Sequence, residues 1–479
     1  MRLNVLDSRR WLLWVVFVGV IFTGWGGCSS SDKSKDTSAD ITDISSDESD
    51  DIAVDSVEDL TPDGGVDVPE VLEEVLDTAD STAPPVCLDL DFNYPLSTSQ
   101  ADETFDLGPY LMTEQQHSIT VMWRTLEETD GTVLYGLEAP DTEVSGADNV
   151  QIHEVTVSGL ESNTRYAYAV RSGGVTSQTH YFTTAVPQGS PFRFVAWGDN
   201  HEATAIFGGL LSQMIDLGPR IALGLGDHVG DGSVDSQWKD YIFGPARALF
   251  HEVPFYAALG NHAKNSHNYF DLHSHPYPGN DPLHESYYSF TYGNAFVLVL
   301  DGNTLLCPLG EVDVPQSEFI KEALESPEAK EATWRIAYAH ESPYSESWSA
   351  GNCGYKGLPC LRNWVMPLLA EHDFHAFFSG HTHGYERGNV DGIIQIISGG
   401  AGGGLDEWCM DWETTSVVYQ NHHFLKGDAG CDTLRIEAIN EAGELVDWVE
   451  MAPDHTIVDE GPMEGLPDLI VSSDSPTLD

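Results

Sequence analysis

Five short stretches of this chain each place a carboxylate, amide or imidazole directly after an apolar run. "VAWGDNH" offers Asp199 and His201, "LGLGDHVG" offers Asp227, and "AALGNH" offers Asn261 and His262. "AYAHESPY" offers His340, and "SGHTHGYER" offers His381 and His383. Neutral imidazole is the commonest metal ligand, and mixed nitrogen and oxygen donors suit Fe, Mn or Zn rather than Mg or Ca alone. Each fragment by itself has a bland reading. An Asp after Gly is usually a turn or a helix cap, and a lone strand-end His is usually a satisfied polar residue. Five such ends in one chain are a different matter, because independent accidents multiply.

The elements that would position these donors can be read from hydrophobic pattern. From about residue 190, "FRFVAWG", "RIALGLG", "FYAALG", "AFVLVLD", "WRIAYAH", "FHAFFSG" and "IIQIISGG" are apolar runs of strand length. Helical spacing lies between them over 236–250, 316–325 and 362–371, which predicts α/β layering with buried strands. Open α/β sheets form their sites at the carboxyl ends of strands, where glycines let the chain turn sharply. Residues 86–186 read differently. "HSITVMWRT", "TVLYGL", "HEVTVSGL" and "TRYAYAVRSG" alternate apolar with polar residues, the pattern of short antiparallel strands in a β-sandwich. Trp123 and Tyr166 are read as core residues of that sandwich.

Charge excludes some functions. The 479 residues carry 77 acidic against 21 basic side chains, a net charge of -56. Such a polyanion repels nucleic acid and anionic membrane surfaces. A phosphate substrate would need local positive charge, which metal ions supply compactly. At the N-terminus, Arg9-Arg10 precede the apolar run "WLLWVVFVGVIFTG" and then "WGGCSSS". This predicts an export signal over 1–27. It resembles the signal of a bacterial lipoprotein, cleaved before a lipid-bearing Cys28 and sorted to the outer membrane or cell surface. An ordinary secretory signal would instead give a periplasmic or secreted protein. Residues 28–85 hold 18 acidic side chains against two lysines, and are expected to be a disordered, self-repelling tether. Six cysteines remain besides Cys28, an even number compatible with disulfides in an exported chain, and Cys353 and Cys360 are spaced to close a short loop. The stretch 453–479 reads as an acidic tail without a clear core role. Residues 265–284 are expected to be a solvated loop, with a cleft-lining role as the alternative, and His228 to orient its own loop.

The ordered set of motifs, D-x-H, G-D, G-N-H, H and G-H-x-H, resembles the calcineurin-like metallophosphoesterase superfamily over 190–452. "GHTHGYER" with the downstream "SGGAGG", and the fibronectin type III-like segment "VSGLESNTRYAYAV", are similar to the purple acid phosphatase branch. The resemblance implies an α/β fold, a layered β-sandwich flanked by helices, preceded by a small all-β fibronectin-like sandwich. It implies that Asp199, His201, Asp227 and His383 hold one metal and that Asp227, Asn261, His340 and His381 hold the other, with Asp227 bridging. His262 would sit beside the substrate without binding metal. Purple members carry Gly where this chain has His201 and Tyr where it has Gly230, so the tyrosinate of a purple iron centre is missing. Ala263 stands where Asp or Glu is common. Glu386-Arg387 correspond to a recurring "YER" that ties its loop internally.

Two cations about 3.5–4 Å apart can clamp the attacking and leaving oxygens of a phosphate ester and acidify a water into a hydroxide nucleophile. The expected function is therefore hydrolysis of phosphoric monoesters by a dinuclear centre of divalent or mixed-valence Fe, Mn or Zn. His262 would stabilise charge or protonate the leaving group. A phosphodiesterase or nucleotidase on the same scaffold is the alternative. A surface adhesion protein with a vestigial site is the alternative of another class.

Overall fold

The computed structural model describes residues 87, 95–97 and 102–471, except 203, 277–284, 304–313 and 464. The expected signal (1–27), Cys28 and the tether (28–85) lie outside the described residues. Four sheets are present among those described. The first two are small and antiparallel. Leu107–Met112 (β1), Ser118–Thr129 (β2) and Val150–Ser158 (β5) form one. Thr132–Gly136 (β3), Thr142–Ser145 (β4), Arg165–Ser172 (β6), Val175–Thr176 (β7) and His180–Thr183 (β8) form the other. Their facing side chains, among them Val121, Trp123, Val155, Tyr168 and Phe182, make one apolar cluster. Trp123 is fully buried, its indole N–H donating to Ser172 Oγ at 2.8 Å. The Tyr166 hydroxyl accepts from the Glu161 amide at 2.9 Å, locking the corner before its strand.

Two larger sheets follow. Phe192–Trp197 (β9), Ile221–Gly224 (β10) and Phe255–Ala257 (β11) run parallel. His423–Ala429 (β19), Leu434–Asn440 (β20), Leu445–Met451 (β21) and Ile457–Glu460 (β22) extend that sheet antiparallel from β9. The second contains Tyr288–Tyr292 (β12), Ala295–Leu300 (β13), Trp334–Ala339 (β14) and Ala376–Ser379 (β15). Tyr385–Val390 (β16), Ile393–Ser398 (β17), Thr415–Tyr419 (β18) and Leu469–Val471 (β23) complete it. Strand β9 shows why these runs are continuously apolar. Phe194 and Ala196 face the second sheet, while Val195 and Trp197 face a helical layer. Strands covered on both faces need no polar side. Helix α1 (Thr204–Leu217) buries Phe207, Leu210, Leu211 and Met214 against that layer, the i, i+3, i+4, i+7 stripe of an amphipathic helix. Helices Val314–Leu324 and Met366–Glu371 cover the other sheet. The result is helices, sheet, sheet, helices, the layered α/β fold expected.

The small sheets dock on the helical layer through polar as well as apolar contacts. Leu107, Tyr110, Met112 and Met122 join the core of α1. The buried Arg247 guanidinium donates to the carbonyls of Asp102, Phe105, Asp106 and Gly108. Three expectations need correction. Cys353 pairs with Cys409, not Cys360, with their Cα atoms 5.6 Å apart; Cys87 pairs with Cys431. Spacing along the chain cannot see that a loop from β18's side folds across Cys353. Second, the described part of 265–284 is not solvated. His267–Leu272 is helical, and His273 and His275 are buried among the rings of Tyr269 and Tyr288. Third, the acidic end contributes β22 and β23 as edge strands of the two large sheets. Backbone pairing there tolerates outward charges that gave no hydrophobic signal.

Candidate metal centre

Five of the parallel strands end side by side, and the turn after each of these contributes a candidate donor. Asp199 and His201 follow β9, Asp227 follows β10, Asn261 and His262 sit in a tight turn after β11, His340 follows β14, and His381 and His383 follow β15. Backbone bonds hold the two sheets' ends together. Gly198 N donates to Ser398 O at 2.9 Å, and Ala401 N to Gly198 O at 3.2 Å. Two glycines are required by close approach. A Cβ at Gly260 would lie 2.1 Å from Asp227 Oδ1, and one at Gly380 would lie 2.4 Å from Asp199 Oδ2. Asp199, Asp227 and His381 adopt left-handed backbone, with φ of 59, 48 and 70°. Non-glycine residues reach this region at a cost and persist there only where the surroundings hold them, which is common at functional sites.

The side chains converge as two adjoining groups. Donor atoms of Asp199, His201 and His383 lie within 4.8 Å of one another, as do those of Asp227, His340 and His381. The second group also meets Asn261, whose Oδ1 is 3.1 Å from His340 Nε2. His340 Nε2 is 3.0 Å from Asp227 Oδ2 and 3.2 Å from His381 Nδ1. His383 Nε2 is 3.5 Å from Asp199 Oδ1. The far nitrogens are fixed by carbonyls: His340 Nδ1 donates to Leu225 O at 2.9 Å, and His383 Nδ1 to Gly404 O at 2.6 Å. That leaves each Nε2 as a lone-pair donor facing the site, the arrangement in which a backbone acceptor fixes the tautomer of a metal-binding imidazole. His262 lies at the rim with its side chain 40% exposed, Nδ1 donating to Gly230 O at 2.7 Å and Nε2 3.8 Å from Asp227 Oδ2. Its ring stacks on that of His201, centroids 5.1 Å apart.

Electrostatics test whether cations fit. Asp199 is 0% and Asp227 3% exposed, and among the described residues neither is paired with Lys or Arg. Burial pushes both carboxyls up, yet the surrounding imidazoles pull both below the ordinary carboxylate range. Conversely, burial pushes His340 down but the two carboxylates outweigh it and raise it to about 10. His383 is raised to about 9 by the same opposition, with Asp199 as the counter-charge. His381 and His201 are pushed down, first by burial, His381 to about 4. Asp199 Oδ1 and both ring nitrogens of His201 are buried without a hydrogen-bond partner. Buried charge without a partner is costly, so the cluster draws positive charge to itself. A donor set of carboxylates, an amide and imidazoles with open lone pairs fits divalent metal ions.

Supporting residues were only partly legible in the pattern. Asn200 Oδ1 accepts from Trp197 Nε1 and, at 2.6 Å, from His228 Nδ1. His228 is thus a buried brace pushed down to about 3 by burial, in edge contact with Phe255, and belongs to neither group. Asp406 accepts from the His383 amide at 2.9 Å. Glu386 accepts from the amides of Glu346 and Ser347, while Arg387 reaches across to Asp447 on the other large sheet. His228 and Glu386-Arg387 were expected to brace their own loops, but Arg387 instead leaves its loop for the other sheet; Asn200 was hinted at only by its adjacency to Asp199, and Asp406 by nothing.

Comparison with known proteins agrees with this geometry. Residues 192–385 match the calcineurin-like phosphoesterase family, and residues 110–184 match the purple acid phosphatase N-terminal domain. The fold is similar to that of purple acid phosphatase PPD1 from yellow lupin (Lupinus luteus) seeds, with a TM-score of 0.61 and 19% identity. That alignment covers 72% of this chain and 74% of the lupin chain. It is also similar to PhoD, with a TM-score of 0.55, 12% identity, and coverage of 77% and 95%. The chain contains a calcineurin-like phosphoesterase domain preceded by the N-terminal domain of the purple acid phosphatases, and is a phosphoesterase enzyme.

Proposed function

We propose that this protein hydrolyses phosphoric monoesters with two metal ions, held by Asp199, His201, Asp227 and His383 on one side and by Asp227, Asn261, His340 and His381 on the other. The observation that carries the reading is the convergence of two buried carboxylates and four imidazoles, with no Lys or Arg paired to them among the described residues. Bound there, the cations would neutralise phosphoryl oxygens and supply a nucleophilic hydroxide at neutral pH. The chain's residues do the rest. Asp227, grouped with His340 and His381, would bridge the two ions and set their spacing. Leu225 O and Gly404 O hold the His340 and His383 rings in one tautomer. His262, half-exposed at the rim and oriented by Gly230 O, is positioned to hydrogen-bond a phosphoryl oxygen or give a proton to the leaving group. Gly230 offers no phenolate, so Fe, Mn or Zn without a tyrosinate ligand is the metal set.

The disulfides fit an oxidising compartment outside the cytoplasm. We propose export by the 1–27 signal and anchoring through lipid on Cys28. The tether 28–85 then carries a fibronectin-like domain (86–186) and a catalytic domain (190–452), with 453–479 behind them. Purified protein should contain close to two equivalents of transition metal by elemental analysis. It should hydrolyse 4-nitrophenyl phosphate faster than bis(4-nitrophenyl) phosphate. Faster diester cleavage would move the assignment to a phosphodiesterase, and full metal without turnover of either would leave a binding protein.

A further inference from the structure

The loops that leave β14 and β17 are fastened into one wall beside the donor groups. Trp348 N donates to Glu407 O, Glu407 N returns a bond to Ser349 O, both at 3.1 Å, and Ser347 bridges Trp408. The Cys353–Cys409 disulfide closes the same pair of loops. Two aromatic rings of this wall stand directly against a donor. The Trp348 ring lies 5.1 Å from the His381 ring at 33°, and the Tyr355 ring 4.5 Å from it, edge on. The two rings are 5.0 Å apart. Tyr355 is held by its hydroxyl, which accepts from Ser342 N at 3.0 Å and donates to Ser342 O at 3.1 Å. Farther along, Trp408 is 44% exposed, its indole N–H anchored on Glu346 Oε2 at 3.2 Å. A strongly acidic protein has little reason to fix tryptophans at the rim of a charged site unless they meet an apolar or planar partner.

We propose that Trp348, supported by Tyr355, determines specificity by packing against a planar ring in the leaving group of the ester. This rests on the phosphoesterase reading above. The rings sit within one ring distance of His381, so they reach the group joined to the ester oxygen rather than a distant part of the substrate. A rigid aromatic surface stacks on a planar partner with little entropy to lose. Because the ring is bound equally in the ground and transition states, its contribution falls on KM rather than kcat.

The test compares phenyl phosphate with glycerol 2-phosphate in the metal-loaded full chain and in Trp348→Ala and Trp348→Phe. The Ala variant should lower the ratio of kcat/KM, phenyl over glycerol, about tenfold, or about 1.4 kcal/mol. The change should lie in KM for phenyl phosphate, and the Phe variant should restore most of it. Equal losses on both esters, together with lost metal, would show that Trp348 only props His381 and would overturn the proposal. An unaltered ratio would overturn it too. Independently of any variant, phenylphosphonate should inhibit the wild type about tenfold more tightly than methylphosphonate; equal inhibition refutes the wall. A wild type that turns over neither ester removes the phosphoesterase reading, and this inference with it.

Discussion

Carboxylates are buried in two regions of this molecule and are compensated in different ways. Between the large sheets, Asp447 is 0% exposed and accepts from Arg387 through both oxygens, at 2.6 and 3.2 Å, and from the Tyr385 hydroxyl at 2.7 Å. Arg387 also reaches Glu460 at 2.7 Å. That region carries its own cation and is electrically closed. At the strand ends, Asp199 and Asp227 are as deeply buried, and imidazoles stand where a guanidinium would otherwise be. Imidazole can give up its proton to a metal at physiological pH, whereas arginine cannot lose its charge. One region is therefore a bolt between sheets, and the other is a socket for imported charge. Glu114, at the junction with the small sheets, shows a third solution. Its carboxyl is fully buried, and burial pushes it up to about 8, further than Arg220 and a hydrogen bond with Tyr292 pull it back.

The comparison is broken most directly at Asp227. Asp227→Asn should lose metal and reduce kcat/KM by a factor on the order of 10⁴, because it removes the carboxylate proposed to bridge the two metals. Retained metal with ordinary turnover, by elemental analysis and kinetics, would end the distinction between socket and bolt. Next comes the bolt. Arg387→Met leaves Asp447 buried without its cation and should cost about 3–5 kcal/mol in denaturant unfolding, with metal content intact. A loss below about 1 kcal/mol would show that Asp447 needs no charge partner. Smaller still is His262→Gln, expected to lower kcat about 10²-fold while both metals stay bound, since His262 stands outside the two groups. Metal loss in that variant would make it a ligand instead. The finest probe is pH. Glu114 has an ordinary value of 4.5 and a folded value of about 8, so between these the folded state binds more protons than the unfolded one. Its stabilising contribution is complete below 4.5 and is lost as pH rises toward 8. Glu114→Gln should flatten the stability profile in that window, measured by unfolding midpoints; an unaltered slope would place the titration elsewhere.

The side chains that converge were legible because each follows closely on an apolar strand. "RIALGLG" and "WRIAYAH" are apolar throughout, which marks strands covered on both faces, and Asp227 and His340 follow them at once. The Arg387–Asp447 bolt gave no comparable signal. Its partners are 60 residues apart on different sheets, and nothing in the neighbourhood of either residue encodes the other. Trp348 escaped notice for a related reason: it lies in an irregular loop whose position is set by Cys409 and Glu407, far along the chain. The pairing of Cys353 was missed because loop closure depends on where two segments meet, and chain spacing reports only how far apart they are in number.

By itself the sequence determined the layered α/β plan, the antiparallel module before it, and the order in which oxygen and nitrogen donors appear. Those are local properties, written in hydrophobic period and in the residue that follows each strand. Tertiary structure alone decided which donors share a group and which carbonyl fixes each imidazole. It likewise decided that short strands from the acidic end form one edge of each large sheet and that two tryptophan-bearing loops become one wall. Such outcomes depend on distances between segments remote in the chain, and those distances exist only once both sheets have packed.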